Sequence, residues 1–335
     1  MIISYNTAFA NFTLHNGFGR AGWGIINALK DMGHTVGFNY HKAPVELTFA
    51  QPEYFEPRKG VHQILLVPWE STKLPPRWLT KMHQADEVWA TSDWVAQVYR
   101  DAGVNNVTNV YPHGIEKRYR PSLKRRGNGP LHILNMGTPA NRKGSQEALD
   151  AFREAFGDNP NRAVLTIKAY QRNNTRWYDS TGRVRDPKEI RNVRVVRNQF
   201  EIDSLVEFTN QFHANVYPTW GEGFGFIPLE SLAQATPTIT THDWAQYKDY
   251  IHLPIDADQV ESPWQWEHPG LMYKPRQESL VEQYLRLEEE YNEQATKHFA
   301  QSLDLHNEYS WDRLTKIAFD SVFQRFDDSY TGILT

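Results

Sequence analysis

The chain alternates short apolar runs with amphipathic stretches, breaks once, and then begins the same alternation again. Runs at 2–6, 34–40, 62–68, 87–92 and 106–112 read as strands, 62–68 as a buried one. Between them, 19–33, 77–85 and 93–103 read as helices, the last with Asp93 at its start and Gly103 at its end. Strand–helix–strand repetition at this spacing predicts parallel sheets covered by helices. The segment R-Y-R-P-S-L-K-R-R-G-N-G-P (118–130) is basic, holds Gly and Pro, and lacks apolar periodicity, so it reads as a domain linker. Strands resume at 131–137, 163–170, 192–198 and 214–218, helices at 144–156 and 204–212, and helical patterns return at 278–292 and 311–326. The expectation is an α/β protein of two doubly wound, Rossmann-like domains facing a central cleft, with ligands at the carboxyl ends of the strands.

At 335 residues the chain is long enough for two cores, and 40% apolar with 13% aromatic content suits a folded protein. It contains no cysteine, which excludes disulfides, thiolate catalysis and cysteine-bearing zinc sites. The opening residues lack a basic and then long apolar leader, and no stretch approaches ~18 uncharged apolar residues, so neither a signal peptide nor a membrane span is expected. A soluble, cytoplasmic protein is the default. Charge is uneven: 19 Lys and Arg face 7 Asp and Glu from Lys117 to Arg197, whereas the remainder holds 17 against 33. The basic part is either solvated surface or a face toward an anion, such as a nucleotide diphosphate or a polyanionic acceptor. The long loop 171–187, with Arg172, Arg176, Trp177, Tyr178, Arg183 and Arg185, is either a solvated loop or a surface for flipped or stacked bases.

Two glycine-bearing loops follow strands. N-G-F-G-R-A-G-W-G (16–24) opens a helix, where free amides and the helix dipole suit phosphate. Its Gly17, Gly19 and Gly22 match a dinucleotide fingerprint, but the loop lies far from its strand and no acidic residue ends the next one, which argues against a nicotinamide enzyme. Phosphate contact and close helix packing both remain open. The second loop, T-W-G-E-G-F-G-F-I-P-L-E-S (219–231), places Pro228 at the expected first helical position and Glu230 at the third. Glu230 there either caps the helix or, with Glu222 on the loop, frames a polyol such as a sugar or ribose.

Glu222-G-F-G-F-I-P-L-Glu230 is similar to the Glu-x7-Glu motif of family 4 retaining glycosyltransferases, which have the GT-B fold. N-G-F-G-R (16–20) resembles that family's N-terminal glycine loop, and A-D-E-V-W-A-T-S-D-W-V (85–95) the strand and helix before its linker. V-Y-P-H-G-I-E-K-R-Y-R-P (110–121) resembles the linker signature, with His113 where Asn is usual. N-R-K-G (141–144) is similar to the basic diphosphate motif, and Y-S-W-D-R-L (309–314) to the start of the last helix. The resemblance implies an N-terminal acceptor domain at 1–117, completed by a C-terminal helix at 312–335 that crosses back to it, and a donor-binding domain at 125–311.

It further implies transfer from a UDP- or GDP-linked sugar to a hydroxyl acceptor. Glu222 would lie by the donor sugar's hydroxyls and Glu230 on the ribose. The amides of Gly223, Phe224, Gly225 and Phe226 would face the sugar or diphosphate, Lys143 with Arg142 would neutralise the leaving diphosphate, and Gly19 would offer it an amide. Lys168 and Asn198 are further donor-side candidates. The family often has an Arg directly after the strand's glycine. Here Gly137 is followed by Thr138, so Arg142 or Lys168 is the candidate substitute. The loop V-P-W-E-S-T-K-L-P (67–75) corresponds to the family's N-terminal histidine site and makes Glu70 either an acceptor contact or a surface turn residue. Trp69 and Arg20 are the other acceptor candidates. No enzymatic nucleophile, cofactor or obligatory metal is expected, and D-A-D (256–258) reads as a loop. The acceptor is a glycan or lipopolysaccharide, or a hydroxylated pyrimidine in DNA, as in virus-encoded relatives. A glycoside hydrolase, a nucleotide-sugar epimerase and a silent sugar-binding module are the rival readings. Glu230→Ala and Lys143→Ala are both expected to weaken donor use without unfolding the protein.

Overall fold

The structure, a computed structural model, describes residues 1–8, 13–137, 141–169, 177–178, 184–185 and 190–327. Among the described residues two six-stranded parallel sheets form. The first holds β1 (Ile2–Asn6), β2 (Thr35–Phe38), β3 (Val45–Phe49), β4 (His62–Val67), β5 (Glu87–Ala90) and β6 (Val107–Val110), in the order β2-β1-β3-β4-β5-β6. Helices α1 (Gly17–Asp31), α2 (Pro76–Gln84) and α3 (Asp93–Asp101) connect these strands. The second begins with β7 (Leu131–Met136) and β8 (Ala163–Lys168); a short antiparallel pair, β9 (Trp177–Tyr178) and β10 (Val184–Arg185), follows. It continues through β11 (Val193–Val196), β12 (Ala214–Tyr217), β13 (Thr238–Thr241) and β14 (Leu253–Ile255), in the order β11-β8-β7-β12-β13-β14. Helices α4 (Ser145–Phe156), α5 (Ile202–Thr209) and α6 (Phe226–Ala233) belong to this half. An antiparallel hairpin, β15 (Ala257–Glu261) and β16 (Leu271–Pro275), precedes α7 (Gln277–Glu308) and α8 (Trp311–Phe326).

Central strands are buried along their length because helices cover both faces of a parallel sheet. Several elements depart from the periodicity reading, three of them for reasons visible in their side chains. β3 was not expected, since Glu46 and Thr48 interrupt its apolar run; buried Glu46 is instead satisfied by Arg58 at 2.6 Å and Gln63 at 2.7 Å. β13 reads as polar, T-I-T-T, but Thr240 donates to the Tyr217 carbonyl at 2.8 Å and Thr241 to the Thr219 carbonyl at 2.6 Å. α7 runs on past 292 because its buried stripe changes from Leu and Tyr to Gln294, Ala295, His298 and Ser302, so the apolar signal fades while the helix persists. The expected loop at 256–258 is also corrected: Asp258 lies in β15, opposite Lys274, and accepts from Arg276 Nε at 2.9 Å.

The last helix returns to the first sheet. Trp311, Phe319 and Phe323 of α8 share a buried cluster with Ile3, Ile25, Trp89 and Tyr111. A Cβ on Gly24 of α1 would lie 2.1 Å from the Trp311 ring, so glycine sets this close helix approach. The expected stretch 328–335 lies outside the described residues.

Two enclosed histidines are expected to make the fold acid-sensitive. Burial lowers His113 to about 3 and His298 to about 4, from an ordinary value of 6.5. Folding favours the neutral rings, so their stabilisation is complete above pH 6.5 and is lost as pH falls toward those values. Each is expected to withdraw up to ~2 kcal/mol between pH 6.5 and 5. Denaturant melts at pH 7 and pH 5 test this; equal stability at both, or the same slope in His113→Asn, would refute it.

Candidate active site

A cavity of about 420 Å³ opens between the carboxyl ends of the two sheets. Phe49 ends β3, Lys168 ends β8 and Tyr217 ends β12; Pro68 and Glu70 follow β4, and Gly137 follows β7. All of these line the cavity, together with the start of α1 and the acidic loop from Glu222 to Ile227.

The loop turns sharply because Gly225 takes φ 84° and caps α6. The helix begins at Phe226, two residues earlier than expected, so Pro228 is its third residue and Glu230 lies beyond the first turn. Pro228 is tolerated there because the first-turn amides have no helical partner. Glu230 is therefore not a capping residue.

Glu222 is the centre of the constellation. Its Oε1 accepts from Arg142 Nη1 at 3.0 Å, Tyr217 at 2.8 Å and Thr219 at 3.2 Å, and from Lys143. Burial alone would raise this carboxyl, but the Lys143 and Arg142 charges outweigh it and hold the group at about 2. Two cations share one enclosed carboxylate, so Lys143 is the group that yields: burial and then Arg142 lower its pKa, against Glu222. Arg142 also reaches across the cleft, with Nη2 2.9 Å from Glu70 Oε1. The sequence-expected Glu70, Arg142, Lys143 and Glu222 are thus one connected group on the cavity wall.

Other expected residues stand differently. Glu230 does not line the cavity; it forms a buried ion pair with Arg20, which does. Arg20 also donates to the Tyr119 hydroxyl at 2.9 Å, while Glu230 Oε2 is enclosed without a hydrogen-bond partner. Arg20, expected on the acceptor side, therefore belongs with Glu230 across the domain seam. The Gly19 amide, expected to meet phosphate, donates instead to the capping Asn16 side chain at 2.7 Å. Asn16, Gly17, Phe18 and Arg20 of that loop stand on the cavity wall. Trp69 is a core residue: it is buried against Trp78 at 4.5 Å and its indole donates to the Lys73 carbonyl at 3.0 Å. The Gly223 carbonyl accepts from Thr91, and a Cβ on Gly223 would meet Pro68 at 2.5 Å, so the loop abuts the first sheet's end. Phe224 and Phe226 enclose His113, Phe226 stacking on it at 4.9 Å. Lys168 joins the main cavity to a smaller one of about 90 Å³ lined by Asn198, Phe200 and Leu205.

Tyr217 and His113 are cavity residues absent from the sequence-derived set. Tyr217 was findable as the last residue of a strand running into the acidic loop, since a strand's carboxyl end is where this architecture places ligands. Most of the basic loop 171–187 lies outside the described residues, and so does Thr138. Among the described residues, no cluster of three or more His, Asp or Glu side chains is arranged to hold a metal ion, and no helix is long and apolar enough to cross a membrane.

No protein-family model and no curated protein matches the chain. Solved structures do. Sucrose-phosphate synthase from Thermosynechococcus elongatus superposes with a TM-score of 0.70 at 13% identity, covering 98% of this chain and 100% of that one. WaaG, a glycosyltransferase involved in lipopolysaccharide biosynthesis, gives 0.55 at 12% identity over 94% and 99%. A UDP-forming α,α-trehalose-phosphate synthase from Burkholderia vietnamiensis gives 0.57 at 10% identity over 95% and 96%. The fold is GT-B. In GT-B terms, the cavity is the interdomain cleft, and the crossing of α8 onto the first sheet is the return helix expected of the fold.

Proposed function

We propose that this GT-B chain is a retaining glycosyltransferase of the family 4 type, moving a sugar from a nucleotide diphosphate to a glycan hydroxyl. One observation carries the reading: Arg142 and Lys143 converge with Glu222 in a cavity at the strand ends. Breaking the glycosyl–phosphate bond builds negative charge on the diphosphate, and fixed cations are the main device for stabilising it. Glu222 and Glu70 are ion-paired with those cations. An incoming diphosphate takes their place and frees the Glu222 carboxylate to accept hydrogen bonds from sugar hydroxyls. The leaving phosphate receives the acceptor's proton on the same face, so no enzymatic nucleophile is used. Lys168 with Asn198 faces the nucleotide, and Glu230, enclosed behind Arg20, holds that side chain on the cavity wall. A glycan acceptor is supported by what the neighbouring WaaG is described as doing. The DNA alternative rests on the basic region 117–197 and on its loop 171–187, and most of that loop lies outside the described residues.

A panel of UDP- and GDP-sugars scored by thermal shift and nucleotide release tests this. A true donor at 100 times its Kd stabilises the protein by ~2.7 kcal/mol; no shift with any member overturns the reading. Since Arg142 and Lys143 supply the positive charge, EDTA is expected to leave turnover unchanged. Loss of activity restored by Mg²⁺ would overturn that point.

A further inference from the structure

The β15–β16 hairpin belongs to the second half of the chain, yet the turn between its strands is fastened to the first. Ser71 donates to the Pro269 carbonyl at 2.8 Å, the Thr72 amide to the Leu271 carbonyl at 3.1 Å, and the Leu271 amide to Thr72 Oγ1 at 2.7 Å. Gly270, at φ 87°, lets the backbones touch: a Cβ there would lie 2.7 Å from Thr72 Oγ1. This attachment sets His268 beside Glu70, with Nδ1 3.7 Å from Oε2, and its ring 5.5 Å from Trp69. His268 Nδ1 is enclosed and has no hydrogen-bond partner. The other Glu70 oxygen meets Arg142, so His268 stands at the outer end of the group that runs inward to Glu222. On the same turn Trp264 packs on Trp220 at 5.4 Å, while Trp266 is 84% exposed.

Given the glycosyl transfer proposed above, we propose that the turn 262–270 is the acceptor platform, where Glu70 and His268 bind hydroxyls of a saccharide whose ring stacks on Trp266. A carboxylate beside an imidazole can receive and give hydrogen bonds to paired hydroxyls. An exposed indole offers a flat apolar face with no core role to explain it. Residues 259–273 hold Glu261 and Glu267 and no Lys or Arg, while Lys73 packs on Gly270 and Arg142 pairs with Glu70, so the platform carries mixed charge and suits a neutral polyol.

The test uses the whole chain, the UDP- and GDP-sugars above, and methyl glycosides of glucose, galactose, mannose and N-acetylglucosamine as acceptor probes. UDP and GDP binding is followed separately by calorimetry. Trp266→Ala and His268→Ala are expected to bind nucleotide as the parent does. Both should raise the saccharide KM at least tenfold with kcat little changed, and His268→Gln should recover most of that loss. Trp266 is exposed, so its removal does not disturb the core. Unchanged KM in both alanine variants overturns the platform. So does nucleotide binding with no probe accelerating nucleotide release. Absence of any nucleotide binding overturns the transfer reaction itself, and the platform with it.

Discussion

Lys143→Ala is expected to lower turnover by about 10²–10³-fold, equivalent to ~3–4 kcal/mol of lost charge stabilisation on the leaving group. The charge matters most when the diphosphate departs, so kcat and kcat/KM should fall together. The protein should stay folded, because Glu222 keeps Arg142, Tyr217 and Thr219 as partners. Circular dichroism melts separate the two effects. A variant that melts like the parent and turns over at the parental rate would remove Lys143, and with it the cation pair, from the mechanism.

Glu230→Ala is expected to lower unfolding free energy by ~3–5 kcal/mol, the range for removing one member of a buried ion pair. The Arg20 side chain is only 9% exposed and would keep Glu116 at 3.6 Å and the Tyr119 hydroxyl, neither of which replaces the lost carboxylate. This reverses the sequence-based expectation that the substitution spares the fold. Arg20→Met with Glu230→Leu should restore much of the stability, since a packed apolar pair can replace a buried ionic one. The checks are urea midpoints for both single variants and the double. A Glu230→Ala variant as stable as the parent would show that the pair contributes nothing to holding the seam.

How much of this was legible in the sequence depended on the kind of information each feature needs. Alternation of apolar runs located both sheets, and Pro228 marked the loop-to-helix turn to within two residues, because those signals are local. β3 escaped because Glu46 looks polar until Arg58 and Gln63 are brought to it. The cluster of Arg142, Lys143 and Glu222 was legible as chemistry, yet its closing partner Glu70 lies 72 positions before Arg142, and only the fold joins them. Trp69 looked like a cleft residue beside Glu70, but alternate residues along an extended segment face opposite ways, and its ring turns into the core. The Gly19 amide was misjudged for a similar reason: Asn16, three residues earlier, takes the hydrogen bond that a phosphate would have received.

The seating of α8 on the first sheet has a consequence for synthesis. Trp89 and Tyr111 are available as soon as residue 111 leaves the ribosome, but Phe319, 5.0 Å from Trp89, is made some 200 residues later. The second sheet and most of α7 are complete before that helix emerges. Domains ordinarily fold from the amino end during translation; here the later-made half can close its core first, while the earlier one waits with an open greasy flank for its lid.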